Sequence, residues 1–230
     1  MKPSLEELAE RARTLTPPEG RAILGITGPP GAGKTTLVEA LLAKLRVDPP
    51  SGPADTWVAH VPMDGFHLAD VQLERLGLRD RKGAPETFDV GGYRATLARI
   101  LDDTGETVYV PGFERGLEQP IAAAIAVPPE VRLVLTEGNY LLLNDEPWLR
   151  VRQTLKEVWY VEVPDDVRVE RLISRHVEFG KSPDAASEWV RRSDEANAAL
   201  VIATQASADL IVELWDGGEA GSAEDEARPS

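Results

Sequence analysis

Ile23-Leu-Gly-Ile-Thr-Gly28-Pro29-Pro30-Gly31-Ala32-Gly33-Lys34-Thr35-Thr36 decides the reading of this chain. A β-branched apolar run, Ile23 to Thr27, enters Gly28-x-x-x-x-Gly33-Lys34-Thr35, and an amphipathic run, Leu37 to Leu45, leaves it. Strand, glycine loop, helix is the context that a phosphate-binding loop requires. Glycines let successive backbone N–H groups face one concavity, and the helix N-terminus adds positive potential. Residues 28 to 36 are therefore expected to cradle a nucleoside triphosphate. Lys34 would reach the β- and γ-phosphates, and the Thr35 hydroxyl would ligate Mg²⁺.

Around that loop the chain has the bulk of one α/β domain: 230 residues, 42% hydrophobic and 28% charged. Its formal net charge of −14 argues against a general nucleic-acid binder. Cysteine is absent, which rules out disulfides and thiolate chemistry and fits a reducing cytoplasm. No apolar run reaches membrane-spanning length, so no membrane partner is expected.

Upstream, Ser4 and Glu7 form a capping box for a helix over 4–15, read as packing on the nucleotide domain. The division expected is an N-terminal helix in 1–18, a P-loop nucleotide domain in 19–215 and an acidic tail in 216–230. The tail's composition is that of disorder.

Downstream, apolar runs at 56–61, 131–136, 157–163 and 208–214 read as further core strands. Loops after the C-terminal ends of parallel strands carry the chemistry of open α/β sheets. That places Asp64 and His67, in Met63-Asp-Gly-Phe-His67, and Glu137, in Glu137-Gly-Asn-Tyr140, near the loop. A lone Asp-Gly is more often a turn and a lone histidine more often structural, so the set matters more than each member. His60, inside its strand, reads as structural. An acidic residue after a second core strand is where P-loop enzymes approach Mg²⁺, although most carry Asp there. Two short strands, 107–110 and 121–127, read as a hairpin on the rim of the sheet that covers the acceptor, with Pro111 to Gly116 between them.

Farther on, Arg171 and Arg175 are four apart and share a helix face. They read as a lid folding two guanidiniums over the polyphosphate, with a hinge at Gly180. A helix from Ser182 or Asp184 to about Gln205 follows, with Trp189, Ala196 and Leu200 expected inward. The fold expected is thus a P-loop NTPase: three α/β/α layers, a mainly parallel central sheet, a small β-hairpin insertion and a helical lid.

A Ras-type GTPase needs Asn-Lys-x-Asp, and Asn-Lys does not occur. Gly28 to Thr36, Met63-Asp-Gly-Phe-His67, Ala84-Pro-Glu-Thr-Phe-Asp89, Glu137-Gly-Asn-Tyr140 and Arg171-Leu-Ile-Ser-Arg-His176 occur in order. In order and spacing they resemble the uridine kinase, phosphoribulokinase and bacterial-type pantothenate kinase family, over roughly residues 20–214. The resemblance is nearest to members labelled nucleoside, pantothenate or fructose kinase-like.

The resemblance implies that Asp64 is the catalytic base and that Asp89 binds sugar hydroxyls. It puts Glu137 near Mg²⁺ and the acceptor, and makes Arg171 and Arg175 lid arginines. Asp64, Lys34, Arg171 and Arg175 form the expected catalytic set, and Asp64, His67, Asp89, Arg115, Glu137 and Tyr140 the acceptor-binding set. Phe113-Glu114-Arg115 departs from the Tyr-Asp-rich segment with which uridine kinases hold the base.

The function expected is Mg-ATP-dependent phosphoryl transfer to a hydroxyl of a sugar, nucleoside or pantothenate-like alcohol. The partners are ATP and that small acceptor, and a homodimer is compatible with the sequence. The alternatives are a nucleotide-gated regulator on the same fold and a nucleoside monophosphate kinase using Arg79, Arg81, Lys82 and Arg115.

Overall fold

The computed structural model describes residues 3–47, 49, 56–102 and 105–214. The acidic stretch 216–230 expected as a tail lies outside these residues.

Five strands form one wholly parallel sheet: β1 (Ala22–Thr27), β2 (Val58–Pro62), β5 (Leu133–Glu137), β6 (Glu157–Glu162) and β7 (Leu210–Glu213), in the order β2-β5-β1-β6-β7. All six residues of β1 and all five of β5 are buried. This is why they read as continuous apolar runs: a parallel sheet covered on both faces shows no alternation.

One face carries α1 (Leu5–Thr14) and α2 (Lys34–Val47), which bury Leu8, Ala12, Leu37 and Leu41 against Leu24, Ile26 and Trp159. The other carries α4 (Val90–Leu101) and α5 (Glu146–Arg152), where Tyr93, Leu97 and Trp148 meet Ile23, Val134 and Tyr160. The capping box of α1 is formed: the Glu7 amide donates to Ser4 Oγ at 3.2 Å and the Ser4 amide to Glu7 Oε2 at 2.7 Å.

The hairpin, β3 (Val108–Glu114) and β4 (Gln119–Val127), is a separate two-stranded sheet. Both strands are longer than the sequence suggested, and the turn shortens to 115–118. The register shifts between Val110 and Gly112. Pro111 sits at that irregularity, where a missing ladder donor is tolerated, and pairing resumes to Glu114.

A short helix α3 (Asp70–Leu76) ends at Gly77, whose φ of 69° gives the left-handed C-terminal stop. The lid helix α6 (Asp165–Glu178) leads into α7 (Pro183–Trp189), a π turn (Val190–Asp194) and α8 (Glu195–Ile202). The π turn overturns the expected inward face of the long helix. Ala196 and Leu200 are exposed, while Ala186, Val190, Ala198 and Val201 are buried. The wider turn rotates everything after it relative to an ideal 3.6-residue helix.

Candidate active site

Strand register builds the site. Glu137, the last residue of β5, is level with Pro62 of β2 on one side and Ile26 of β1 on the other. The next residues of β1 begin the glycine loop. Those after β2 form a 3₁₀ turn, Met63–Phe66, that carries Asp64. Loop, Asp64 and Glu137 therefore emerge side by side from three adjacent strands.

The loop's shape depends on two glycines. Gly28 has φ of 153°, and a Cβ there would lie 2.6 Å from the Val161 carbonyl oxygen. Gly31 has φ of 80°, and its Cβ would lie 2.7 Å from the Arg168 carbonyl oxygen, so α6 packs directly on the loop. The buried Lys34 ammonium donates to the carbonyls of Gly28 (3.0 Å) and Pro29 (3.1 Å). Thr35 Oγ1 donates to Glu137 Oε1 at 3.1 Å.

Two connected hollows flank these residues. One, of about 170 Å³, is lined by Asp64, His67, Glu137, Arg115, Asp194 and Asn197, with Lys34 and Thr35 at its floor. The other, of about 360 Å³, runs along Gly33 to Thr36 under Arg171, Arg175 and Phe179. Arg115, from the hairpin turn, and Arg175, from α6, line both.

Charges in the site are tightly balanced. Burial, then the nearby Asp64 carboxylate, pushes Glu137 up to about 7 against the opposing pull of Lys34 and Arg115. Burial lowers the Lys34 pKa, while Glu137 and Asp64 pull it back up. Desolvation, then the like charge of Arg115, lowers Arg175. Two guanidiniums held close over a lysine, with two carboxylates beneath, leave room for a polyanion and a divalent cation.

The residues expected from the sequence divide. Pro30, Gly31, Lys34, Thr35, Asp64, His67, Arg115, Glu137 and Arg175 line the smaller hollow. Gly33, Thr36 and Arg171 line the larger one. Gly28 and Pro29 turn their carbonyls to Lys34, and Ala32 is fully buried as packing.

Two expected acceptor residues are not brought in. Asp89 caps α4, accepting from the Gly92 amide at 2.8 Å, and lines neither hollow. Tyr140 is fully buried, and its hydroxyl donates to the Gly83 carbonyl behind the wall. His67 is clamped between Phe88 and Phe113, with ring centroids 4.0 and 5.1 Å away, and its Nδ1 lies 2.9 Å from the Asp64 carbonyl oxygen. Asn139, Asp194 and Asn197 were not singled out by sequence. Asn139 follows Glu137 closely, but nothing in helical periodicity points Asp194 or Asn197 at the site.

Thr35 and Glu137 present two hard oxygen ligands at the mouth of the loop. That suits Mg²⁺, which takes few protein ligands and completes its shell with phosphate and water.

No family model matches the chain. It is 35% identical over 217 residues to the uncharacterised protein YggC of Escherichia coli, spanning 94% of this chain and 87% of that one. It is 31% identical over 216 residues to a Schizosaccharomyces pombe protein, C227.14, provisionally named a uridine kinase, spanning 91% and 90%. Among solved structures, a provisionally named fructose transport system kinase from Silicibacter sp. TM1040 superposes with a TM-score of 0.81 at 35% identity, covering 91% of this chain and 98% of that one. With its glycine loop, parallel sheet and lid, this chain belongs to the family of uridine kinase-like P-loop kinases.

Proposed function

We propose that the protein transfers the γ-phosphoryl group of ATP to a hydroxyl of a small metabolite. The observation that carries this reading is the position of Asp64. It lines the same hollow as Lys34, Thr35 and Glu137 and does not line the larger hollow that follows the glycine loop. ATP would lie along the loop, with its γ-phosphate between Lys34 and the two arginines, Arg115 and Arg175. Arg171 covers the outer phosphates. Thr35 and Glu137 would hold Mg²⁺, which would supply positive charge against the polyphosphate.

Asp64 accepts the proton of the acceptor hydroxyl as its oxygen bonds to the γ-phosphorus. The bond from that phosphorus to the β-phosphate oxygen breaks, and ADP leaves. Positioning and charge neutralisation are most of what such a reaction needs.

The monophosphate kinase alternative loses support from the charged loop meant to serve it. Arg79 and Lys82 pair with Asp70, and Arg81 pairs with Glu86. None of these three lines the hollow, which leaves Arg115 as the one basic residue of that set at its wall. A regulator that only binds ATP has no use for a carboxylate at the position of Asp64.

The test is ADP formation from Mg-ATP across a panel of neutral sugars, nucleosides, pantothenate and sugar phosphates, with Asp64→Asn alongside. Acceptor-stimulated ADP release should fall by about 10²–10⁴-fold in the variant, while ATP binding by calorimetry is retained. Equal release by the variant would remove Asp64 from the mechanism.

A further inference from the structure

The smaller hollow has a second wall that the phosphoryl-transfer machinery leaves unused. It is made by the π turn of the second lid helix. Asp194 ends that turn, and Asn197 follows one helical turn on. Both side chains face the hollow, while Ala198 and Val201 of α8 are buried.

Asp194 is held in place. Its Oδ2 lies 2.9 Å from His176 Nε2 on α6, with both side chains largely buried. Among the described residues its Oδ1 has no hydrogen-bond partner. Asn197 is 8% exposed, and its Nδ2 lies 3.4 Å from the Gly83 carbonyl. That is at the edge of bonding distance, so the amide is only loosely engaged. A carboxylate oxygen and an amide, side by side and undersatisfied in a small polar chamber, are a hydroxyl-reading pair.

Size and charge narrow the ligand. A chamber of about 170 Å³ holds the volume of roughly six waters. It is well under the roughly 300–1,000 Å³ of pockets for drug-sized ligands, which favours a monosaccharide over a ribose that carries a base. Its acceptor side carries Asp64 and Asp194, which oppose an anionic acceptor. Its two arginines also line the nucleotide hollow and face the γ-phosphate position.

We propose that Asp194, turned into the chamber by the π turn and braced by His176, acts with Asn197 to bind adjacent hydroxyls of a neutral, monosaccharide-sized polyol. This rests on the kinase reading above and specifies its acceptor. His176 follows Arg175 directly on α6, so an acceptor gripped by Asp194 also fixes the helix that carries the lid arginine.

The experiment is calorimetric binding to the full chain with Mg²⁺ and a non-hydrolysable ATP analogue, followed by steady-state transfer with ATP. The probes are D-fructose, D-ribose, D-glucose and D-sorbitol, the monophosphate of each, and uridine and adenosine. At least one neutral sugar or alditol should bind, with the monophosphates and nucleosides at least tenfold weaker. Asp194→Asn should raise the acceptor KM about tenfold or more and leave the Mg-ATP KM within twofold.

Acceptors lacking one hydroxyl give a check that does not depend on the variant's folding. Removing the hydroxyl that Asp194 reads should weaken the wild type as much as Asp194→Asn does, and should cost the variant nothing further. Preference for a monophosphate or nucleoside, silence of all neutral sugars, or additive losses in that cycle would overturn the proposal. Sugar binding without transfer would instead leave this site standing and count against the kinase reading.

Discussion

His60 is the residue whose chemistry is most at odds with its place. It sits mid-strand in β2, and among the described residues its buried Nε2 has no hydrogen-bond partner. Burial lowers its pKa to about 4. The fold thus holds the ring neutral down to about pH 4, while the unfolded chain takes up a proton near 6.5. Between those values the unfolded state binds more protons, so stability falls as the solution is acidified. The full shift is worth roughly 3 kcal/mol. His60→Gln should flatten the dependence of stability on pH between 4 and 6.5, with little change above pH 7. Urea titrations at four pH values across that window measure this, and an unaltered slope would place the acid sensitivity elsewhere. At the same scale, Leu8 in α1 is 1% exposed in the core. Leu8→Ala should cost roughly 2–4 kcal/mol through lost burial and an unfilled cavity. A lower urea midpoint at constant m-value is the expected result.

Among the elements, the hairpin is placed by the backbone of the turn that bears Asp64. A Cβ on Gly65 would lie 2.4 Å from the Pro111 carbonyl oxygen, a backbone atom that cannot rotate away. Gly65→Ala should therefore displace the hairpin and Arg115 with it. Misplacement on the ångström scale costs phosphoryl transfer far more than nucleotide binding. Transfer should drop by at least about tenfold while calorimetric ATP affinity stays within a fewfold. A matching loss of both would mean that the loop itself had moved.

The elements also separate what the sequence discloses from what it hides. The glycine loop, Asp64 and Glu137 are legible because their chemistry is local and because parallel strands deliver their ends to one edge of the sheet. Asp89 belongs to the same ordered set of motifs, yet it caps its own helix, because an Asp before a helix satisfies the nearest amide first. Asp194 and Asn197 were hidden for a different reason. Helical periodicity assumes 3.6 residues per turn, and the π turn at Val190–Asp194 breaks that assumption without a proline or glycine to mark it. The same turn accounts for Leu200 lying outward and Val201 inward.

For the molecule as a whole, the sheet's strand order separates the strand that leads into the glycine loop from the strand that leads to Asp64. β1 and β2 do not pair with each other, because β5 lies between them and pairs with both. Fragment 1–130 keeps the entire glycine loop and Asp64 but has no β5 to join their strands. It should bind no Mg-ATP in equilibrium dialysis, and any binding would show that the loop is organised by its own strand and helix alone. During synthesis the same order imposes a wait. At about 5–20 residues per second, roughly 4–15 s pass between the making of Pro62 and that of Glu137. Throughout that interval two apolar strands have no partner in the main sheet. The nascent chain is therefore most exposed to aggregation, and most in need of a chaperone, before its fifth strand is made.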